Sequence, residues 1–188
     1  MKQIKSFFIQ TLGCKVNQYE SDGIASGLEA KGWHREKKGK KTDLTIINTC
    51  AVTSKAGMQS RQAIRKLIRE NPEAKIVVTG CHAQTDPDMI RKIDGVNHIA
   101  CHKDKTLIAD HIHDLIYNED PCNESLFQFT KPDFKKTGPF RSFPHIVKGH
   151  MTRAYLKIQD GCNAFCTYCI VPYARGSSVS MNKEEVFQ

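Results

Sequence analysis

The chain has 188 residues, of which 39% are hydrophobic and 26% charged, a composition typical of a folded globular protein and not of a disordered one. Its formal net charge of +8 suits an anionic partner such as RNA. No apolar run approaches the length of a membrane span, and the run Phe7–Ile9 ends at Gln10, too early for a signal peptide. We therefore expect a cytoplasmic protein, whose clustered cysteines point to metal or redox chemistry more than to disulfides.

Short apolar runs alternate with amphipathic stretches along the first part of the chain. The predicted strands are SFFIQTLGC, LTIINTC, KIVVTGC and VNHIAC. The predicted helices are SDGIASGLEAKG, which Gly32 closes, SKAGMQSRQAIRKLIRENP, a short one near DPDMIRKI and another near KTLIADHIHDLI. Repeated strand–helix units predict an α/β fold with a parallel sheet and right-handed crossovers.

Composition changes at residues 117–150, where four prolines and little periodicity indicate a linker or an extended loop. The stretch AYLKIQDGC then predicts a strand that opens a second domain. We therefore predict a first domain at residues 1–116, a linker at 117–150 and the start of a second domain at 151–188. Only 26 residues follow Cys162 (188 − 162), whereas a complete (β/α) barrel takes about 200–250 residues. We expect this second unit to be incomplete.

Cys14, Cys50 and Cys81, here called the first trio, each follow a predicted strand. The carboxyl ends of parallel strands lie at one edge of a sheet, where sites of this fold class form. If the order is flavodoxin-like, the first strand sits between the second and the third, and the thiols come from adjacent strands about 4.8 Å apart. The competing interpretation is three separate structural cysteines, because free cysteine is commonly buried.

The stretch DGCNAFCTYC carries Cys162, Cys166 and Cys169, here called the second trio, in a C-x3-C-x2-C pattern. A [4Fe–4S] cluster is normally held by four thiolates, so three would leave one iron free to bind a substrate or cofactor. Zinc is the main alternative, with His145 or His150 as a further ligand, although no histidine follows at zinc-finger spacing. A disulfide would leave one thiol over.

Four motifs give the chain a resemblance to a known family. KIQDGCNAFCTYCIVPYARG resembles the radical S-adenosylmethionine signature of the methylthiotransferases. TLGCKVNQYES, INTCAVTSKA and VTGCHAQ are similar to the three cysteine motifs of that family's N-terminal domain. The motif TLGCKVN resembles the corresponding motif of one branch of the family. That branch acts on N6-threonylcarbamoyladenosine beside the tRNA anticodon and converts it to the 2-methylthio derivative.

The resemblance implies a flavodoxin-like domain followed by the start of a radical-SAM (β/α) barrel, with two [4Fe–4S] clusters, S-adenosylmethionine and a tRNA substrate. The second trio would hold the radical cluster, where reductive cleavage of S-adenosylmethionine yields a 5′-deoxyadenosyl radical. The first trio would hold an auxiliary cluster that carries the sulfur or methylthio group, and a second S-adenosylmethionine would donate the methyl. The reduction implies an electron donor such as flavodoxin or ferredoxin. We expect no membrane partner, because no apolar run is long enough to span one.

Other side chains near the cysteines are weaker candidates. Tyr168, inside the second trio, is a candidate for cofactor binding, with plain packing as the alternative. Arg175 is a candidate for contact with a cofactor carboxylate or an RNA phosphate. Asn17, Asn48 and Gln84, beside the first trio, can donate hydrogen bonds to a cluster or serve in turns and helix caps.

Basic residues suggest where RNA would bind. Arg61, Arg65 and Arg69 recur every fourth residue on one predicted helix, and KGWHREKKGKK at residues 31–41 adds a second basic stretch. Charge runs of this kind are usually solvated surface, and the expected polyanionic substrate makes RNA binding an equal alternative.

Two further cysteines, Cys101 and Cys122, are predicted to be structural. A zinc site that combines Cys101 with nearby histidines is disfavoured, because residues two apart on a helix face different ways. The histidines in question are His102, His111 and His113.

The chain departs from the family pattern in two places. The family commonly has further arginines after Arg175 and Gly176, whereas this chain continues with SSVSMNK. The sequence also stops at Gln188, before the remaining barrel strands and the C-terminal RNA-binding domain of the family. We therefore expect an N-terminal fragment that is inactive alone. The competing hypothesis is a truncated, non-catalytic iron–sulfur or RNA-binding module.

Overall fold

The computed structural model describes residues 5–112, 139–143 and 155–187. Five strands form one sheet in the order β2-β1-β3-β4-β5, and every neighbouring pair is parallel. The strands are β1 (Ser6–Thr11), β2 (His34–Arg35), β3 (Leu44–Thr49), β4 (Lys75–Gly80) and β5 (His98–Ile99). This order is flavodoxin-like, so the predicted α/β fold class is confirmed.

Helices follow the strands along the chain. They are α1 (Lys15–Ala30), α2 (Ser54–Glu70), α3 (Cys81–Thr85) and α4 (Pro87–Arg91), followed by a 3-10 helix at His102–Leu107. The hydroxyl of Thr53 caps α2 by accepting a hydrogen bond from the Ala56 amide at 3.0 Å. No helix in the described part of the chain is long and apolar enough to cross a membrane.

Helices cover both faces of the sheet, so its central strands bury side chains on both sides. All six residues of β3 are buried. Ile46 packs in one core cluster with Ile24 and Leu28 of α1, while its neighbour Ile47 packs in the other with Ile64 of α2. Successive strand residues point to opposite faces, so the adjacent apolar residues of β3 serve both layers.

Two predictions about these elements are wrong. The predicted order put the strand that is now β1 between those that are now β3 and β4, whereas β3 lies between β1 and β4. The short strand β2, which was not predicted, lies outside β1. Helix α1 begins at Lys15 and not at Ser21. The stretch near KTLIADHIHDLI starts as a 3-10 helix, and its residues from 113 onward lie outside the described part.

The elements of the second unit at residues 155–187 are short. Two-residue strands β6 (Gln159–Asp160) and β7 (Val179–Ser180) pair antiparallel, with helices α5 (Val171–Arg175) and α6 (Lys183–Val186). A (β/α) barrel is built from parallel strands, so its start here stays a prediction. Of the predicted linker at 117–150, the structure describes only residues 139–143, and Cys122, His145 and His150 lie outside the described ranges.

Candidate functional site

The first trio lies at the carboxyl edge of the sheet, after three strands that are neighbours. The register places Thr11 beside Asn48 and Asn48 beside Thr79, so β1, β3 and β4 end together. Cys50 follows the last residue of β3, Cys81 follows the last residue of β4 and begins α3, and Cys14 immediately precedes α1. The topology therefore brings the three thiols to one end of adjacent strands, about 4.8 Å apart.

Gly13 lets the first cysteine loop approach the second. Its φ is +95°, a left-handed conformation, and a Cβ built on it would lie 2.7 Å from both Cβ and Sγ of Cys50. Such a distance is shorter than van der Waals contact, so only glycine fits. The glycine before Cys14 thus lies directly against the Cys50 side chain.

Ser60 of α2 holds the backbone of Cys50. Its hydroxyl oxygen accepts a hydrogen bond from the Cys50 amide at 3.2 Å and lies 3.0 Å from the Cys50 carbonyl oxygen. Next to it, Thr49 donates from its hydroxyl to the Thr79 carbonyl at 2.6 Å. These bonds fix the loop between β3 and α2 without using the thiol, which stays available as a ligand.

The three thiols differ in their exposure. Cys14 is exposed, whereas Cys50 and Cys81 are each only 5% exposed. Burial raises the pKa of the Cys81 thiol, and the positive charges of Arg175 and Lys105 oppose that rise. A group bound by the trio would therefore be reached from the side of Cys14.

The second trio lies on a loop between β6 and α5. The Cys162 amide donates to the Gly176 carbonyl at 3.1 Å, and the Cys169 amide donates to the Cys166 carbonyl at 2.9 Å. The Ala164 amide points at the Cys162 sulfur at 3.5 Å, an arrangement that stabilises a thiolate. Phe165, inside this loop, has a φ of +46°. Within the described ranges it is the one residue other than glycine with a positive φ, so the loop carries local strain.

A buried ion cluster, formed by six side chains, lies between the two parts of the chain. Glu20 of α1 is only 1% exposed and accepts hydrogen bonds from Lys105, Lys157 and Arg175. Asp160, just before the second trio, pairs with Lys157 at 3.0 Å and Arg175 at 2.8 Å. The sixth member, His102, lies 2.9 Å from Asp160. Three cations thus meet two carboxylates and one imidazole.

The charges in this cluster set the protonation of its acids. Burial alone would raise the pKa of Glu20, but Lys105, His102, Arg175 and Lys157 hold it well below its usual range. Burial and the nearby Lys105 lower the pKa of His102 below its ordinary value. The carboxylate stays ionised and the imidazole stays neutral near neutral pH.

Three members of this cluster have the side-chain types of a metal site. Potential ligand atoms of Glu20, His102 and Asp160 lie within 4.8 Å of one another. However, both carboxylates already pair with the protein's own cations. A divalent cation would have to displace Lys157 and Arg175. We therefore assign a structural role to these three residues and do not propose a metal site.

The donor chemistry of both trios fits an iron–sulfur cluster. Soft thiolate ligands favour iron–sulfur clusters or zinc over hard cations. Each trio supplies three thiols, one fewer than the four corners of a [4Fe–4S] cluster require. The amide aimed at the Cys162 sulfur is the kind of outer contact that such clusters use.

The other predicted site residues lie in varied surroundings. Tyr168 is 88% exposed. The Arg61 guanidinium lies 3.3 Å from His82, the residue after Cys81, whereas Arg65 and Arg69 are exposed on α2. The predictions of cofactor and RNA contact for these residues stay predictions.

Arg175 and the side-chain amides near the first trio make contacts that the sequence did not predict. The guanidinium of Arg175 donates hydrogen bonds to Glu20, Asp160 and Asn17. Asn48 donates from its amide to the Asn17 carbonyl at 2.9 Å, and Gln84 accepts from the His102 amide at 2.9 Å.

The ion cluster could not be foreseen from local sequence. The partners of Glu20 lie 85 to 155 residues further along the chain. The one signal in the sequence is the position of Asp160 and Arg175, which flank the second trio at a short distance on either side.

Comparisons with known proteins support the resemblance. The sequence profile of Uncharacterized protein family UPF0004 matches residues 6–101. Threonylcarbamoyladenosine tRNA methylthiotransferase MtaB of Bacillus subtilis is 39% identical over 178 residues, which are 95% of this chain and 38% of that protein. The MtaB protein of Chlamydia pneumoniae is 37% identical over 96% of this chain and 38% of its own length.

A second group of relatives has a different name. The tRNA-2-methylthio-N(6)-dimethylallyladenosine synthase of Protochlamydia amoebophila is 32% identical over 100% of this chain and 40% of that protein. Similarity to proteins named methylthiotransferases over nearly the whole chain confirms the predicted resemblance. The chain spans about two fifths of the length of these curated relatives.

Proposed function

The chain belongs to Uncharacterized protein family UPF0004, and on that premise we propose that it forms part of a tRNA methylthiotransferase. The reaction we propose adds a methylthio group at C2 of N6-threonylcarbamoyladenosine beside the anticodon. The observation that carries this proposal is the pairing of two thiol trios, one at the carboxyl edge of the sheet and one on the loop before α5.

The choice of substrate rests on the relatives. Those named for threonylcarbamoyladenosine are 31% to 39% identical to this chain, and those named for dimethylallyladenosine are 28% to 32% identical. The motif TLGCKVN, which contains Cys14, favours the same branch. Both groups of names describe a methylthio modification of tRNA adenosine, so the proposed reaction type does not depend on this choice.

In this proposal the first trio holds an auxiliary [4Fe–4S] cluster and the second trio holds the radical cluster. An iron that lacks a protein ligand offers a coordination position to S-adenosylmethionine or to a sulfur group. The chain's own contribution is to hold thiols at fixed places. Ser60 and Gly13 support the loops of Cys50 and Cys14 in the first trio, and the Cys162–Gly176 hydrogen bond closes the loop of the second.

The proposed polymer substrate is tRNA, and the exposed arginines Arg65 and Arg69 of α2 are the residues we propose for contact with its phosphates. Reduction of the radical cluster needs an electron donor, for which a flavodoxin or a ferredoxin has suitable chemistry. A non-catalytic iron–sulfur or RNA-binding module remains the competing function, and it predicts no cleavage of S-adenosylmethionine.

The test removes the gene that encodes this sequence from its host and analyses nucleosides from total tRNA by mass spectrometry. We expect 2-methylthio-N6-threonylcarbamoyladenosine to disappear and its unmodified precursor to accumulate. Re-expression of the intact gene should restore the modification, and re-expression with Cys162→Ala should not. Loss of the dimethylallyl derivative instead would assign the other substrate, and an unchanged nucleoside profile would reject the proposed function.

A further inference from the structure

Arg175 makes hydrogen bonds toward three separate acidic or polar groups. One guanidinium nitrogen donates to Glu20 at 2.9 Å and to Asp160 at 2.8 Å. The other donates to the side-chain oxygen of Asn17 at 2.9 Å and to the second oxygen of Glu20 at 3.4 Å. The Arg175 side chain is 7% exposed, so these bonds are shielded from water.

A path of hydrogen bonds runs from Arg175 to the first trio through Asn17. Its amide nitrogen donates to the Leu12 carbonyl at 2.8 Å and to the Thr49 carbonyl at 3.0 Å. Leu12 stands two residues before Cys14, and Thr49 stands directly before Cys50. One buried side chain therefore connects the two loops that present these thiols.

Toward the second trio, the path is shorter. Asp160 stands two residues before Cys162, and its carboxylate also accepts a hydrogen bond from the Gly161 amide at 2.9 Å. Gly176, the residue after Arg175, accepts from the Cys162 amide at 3.1 Å. Arg175 thus supports the Cys162 loop through its side chain and through the adjacent backbone.

We propose that Arg175 is a positioning residue that fixes the two cysteine trios relative to each other. The inference deepens the proposed function and rests on it for the idea that both trios hold clusters. The planar guanidinium can bind Asn17, Glu20 and Asp160 at once, because its donors form a rigid fork. A lysine ammonium would keep the positive charge but could not bind all three side chains at once.

An alternative role for Arg175 is charge neutralisation alone. In that case its bond to Asn17 is incidental, and a lysine at the same position would serve equally well. The two roles predict different results for substitutions on the far side of the path, at Asn17.

The first experiment measures amide hydrogen exchange in the metal-free chain. Asn17→Ala removes no charge, yet we expect it to speed exchange of the Cys162 amide about tenfold, the effect of losing one charge-assisted hydrogen bond in the path. Arg175→Lys should speed exchange around both Leu12 and Cys162. The matched control is Gln18→Ala on the same helix, which removes a hydrogen bond to Asp22 and none to the described residues of the cluster.

The opposite result would reject the positioning role. In that case Asn17→Ala speeds exchange only near Leu12 and Thr49, and Arg175→Lys changes exchange in neither cysteine loop. This measurement needs no cluster, so it stands even when the proposed function fails.

The second experiment uses the chain reconstituted with iron and sulfide without oxygen. With both clusters reduced, we expect a magnetic interaction in the electron paramagnetic resonance spectrum that Arg175→Lys alters while the iron and sulfide content stays the same. An identical interaction in both proteins would overturn the inference. Chains that take up no sulfide would instead reject the proposed function.

Discussion

Gly13 and Cys50 are in direct contact, although 36 residues separate them in the sequence. Any Cβ at position 13 would lie 2.7 Å from the Cys50 sulfur, and the φ of +95° already disfavours other residues. This contact joins the loops of two of the three thiols in the first trio. The first trio therefore requires a glycine at position 13.

Gly13→Ala should therefore damage the first trio selectively. The new methyl group must push Cys50 away, so we expect about four fewer irons per chain after reconstitution, with the second trio unaffected. Gly39→Ala is the matched control, because Gly39 has a similar φ of +89° but open space around a built Cβ. It should cost about 1 kcal/mol of unfolding free energy and no iron. Equal iron contents in the two variants would contradict the assigned contact.

The buried ion cluster predicts that stability falls as the pH falls. The folded-state pKa of His102 is lowered by burial, so below its ordinary value of 6.5 the unfolded chain binds a proton that the folded chain does not. Lys105, Glu20 and Asp160 are the charged groups around it. The pKa of Glu20 is also lowered, so a second loss follows as the pH drops below about 4.3, its unfolded value.

Urea unfolding of the metal-free chain between pH 7.5 and pH 5 measures the first loss. We expect the unfolding free energy to fall with a slope of at most about 1.4 kcal/mol per pH unit for this one group. His102→Gln should flatten that slope. A wild-type stability that rises toward pH 5 would contradict the assigned direction.

Phe143 packs against a glycine on α1 and ties residues 139–143 to the first domain. A Cβ on Gly23 would lie 2.3 Å from the Phe143 ring, and the ring meets Tyr19 edge-on at 6.2 Å between centroids. Phe143→Ala should cost about 3 kcal/mol of unfolding free energy through lost burial. Gly23→Ala should cost about 2 kcal/mol, because the ring must move.

The double variant tests that these costs share one cause. With the ring removed, the alanine at position 23 has space and improves helix propensity, so the second substitution should cost nothing further or restore some stability. Chemical unfolding of the four proteins supplies the cycle. Strictly additive losses would show that Gly23 and Phe143 do not interact.

The exposed arginines on α2 predict a salt-dependent affinity for tRNA. Arg65→Gln combined with Arg69→Gln should weaken binding and lower the slope of log affinity against log salt by about 0.7–0.9 for each phosphate that the variant no longer neutralises. Arg91→Gln is the control, because Arg91 is exposed but pairs with Asp88. Filter binding at several salt concentrations measures the slopes. Equal slopes for the double variant and the control would exclude this face of α2 from the RNA interface.

The sequence predicted those elements whose signals are local. Helix α2 has the predicted bounds because its apolar face and the stop at Asn71 and Pro72 lie within one stretch. Strands β3 and β4 were recognisable because each contains adjacent β-branched apolar residues. The start of α1 was missed because Asn17 and Glu20 are polar residues that the fold buries.

What remained hidden depends on contacts between distant residues. Glu20 is buried only because Lys105, Lys157 and Arg175 meet it from far along the chain. The two-residue strand β2, which lies outside β1, is too short for a periodic pattern. Thiol positions were easier to predict, since each first-trio cysteine follows a strand.

The most direct test counts iron and acid-labile sulfide in the chain reconstituted without oxygen. The wild-type protein should hold about eight irons and eight sulfides, as two [4Fe–4S] clusters require. Replacement of either trio by alanine should leave about four of each. A single metal ion per trio without sulfide, or a wild-type chain that retains no more iron and sulfide than one with both trios replaced, would contradict the assignment of two clusters.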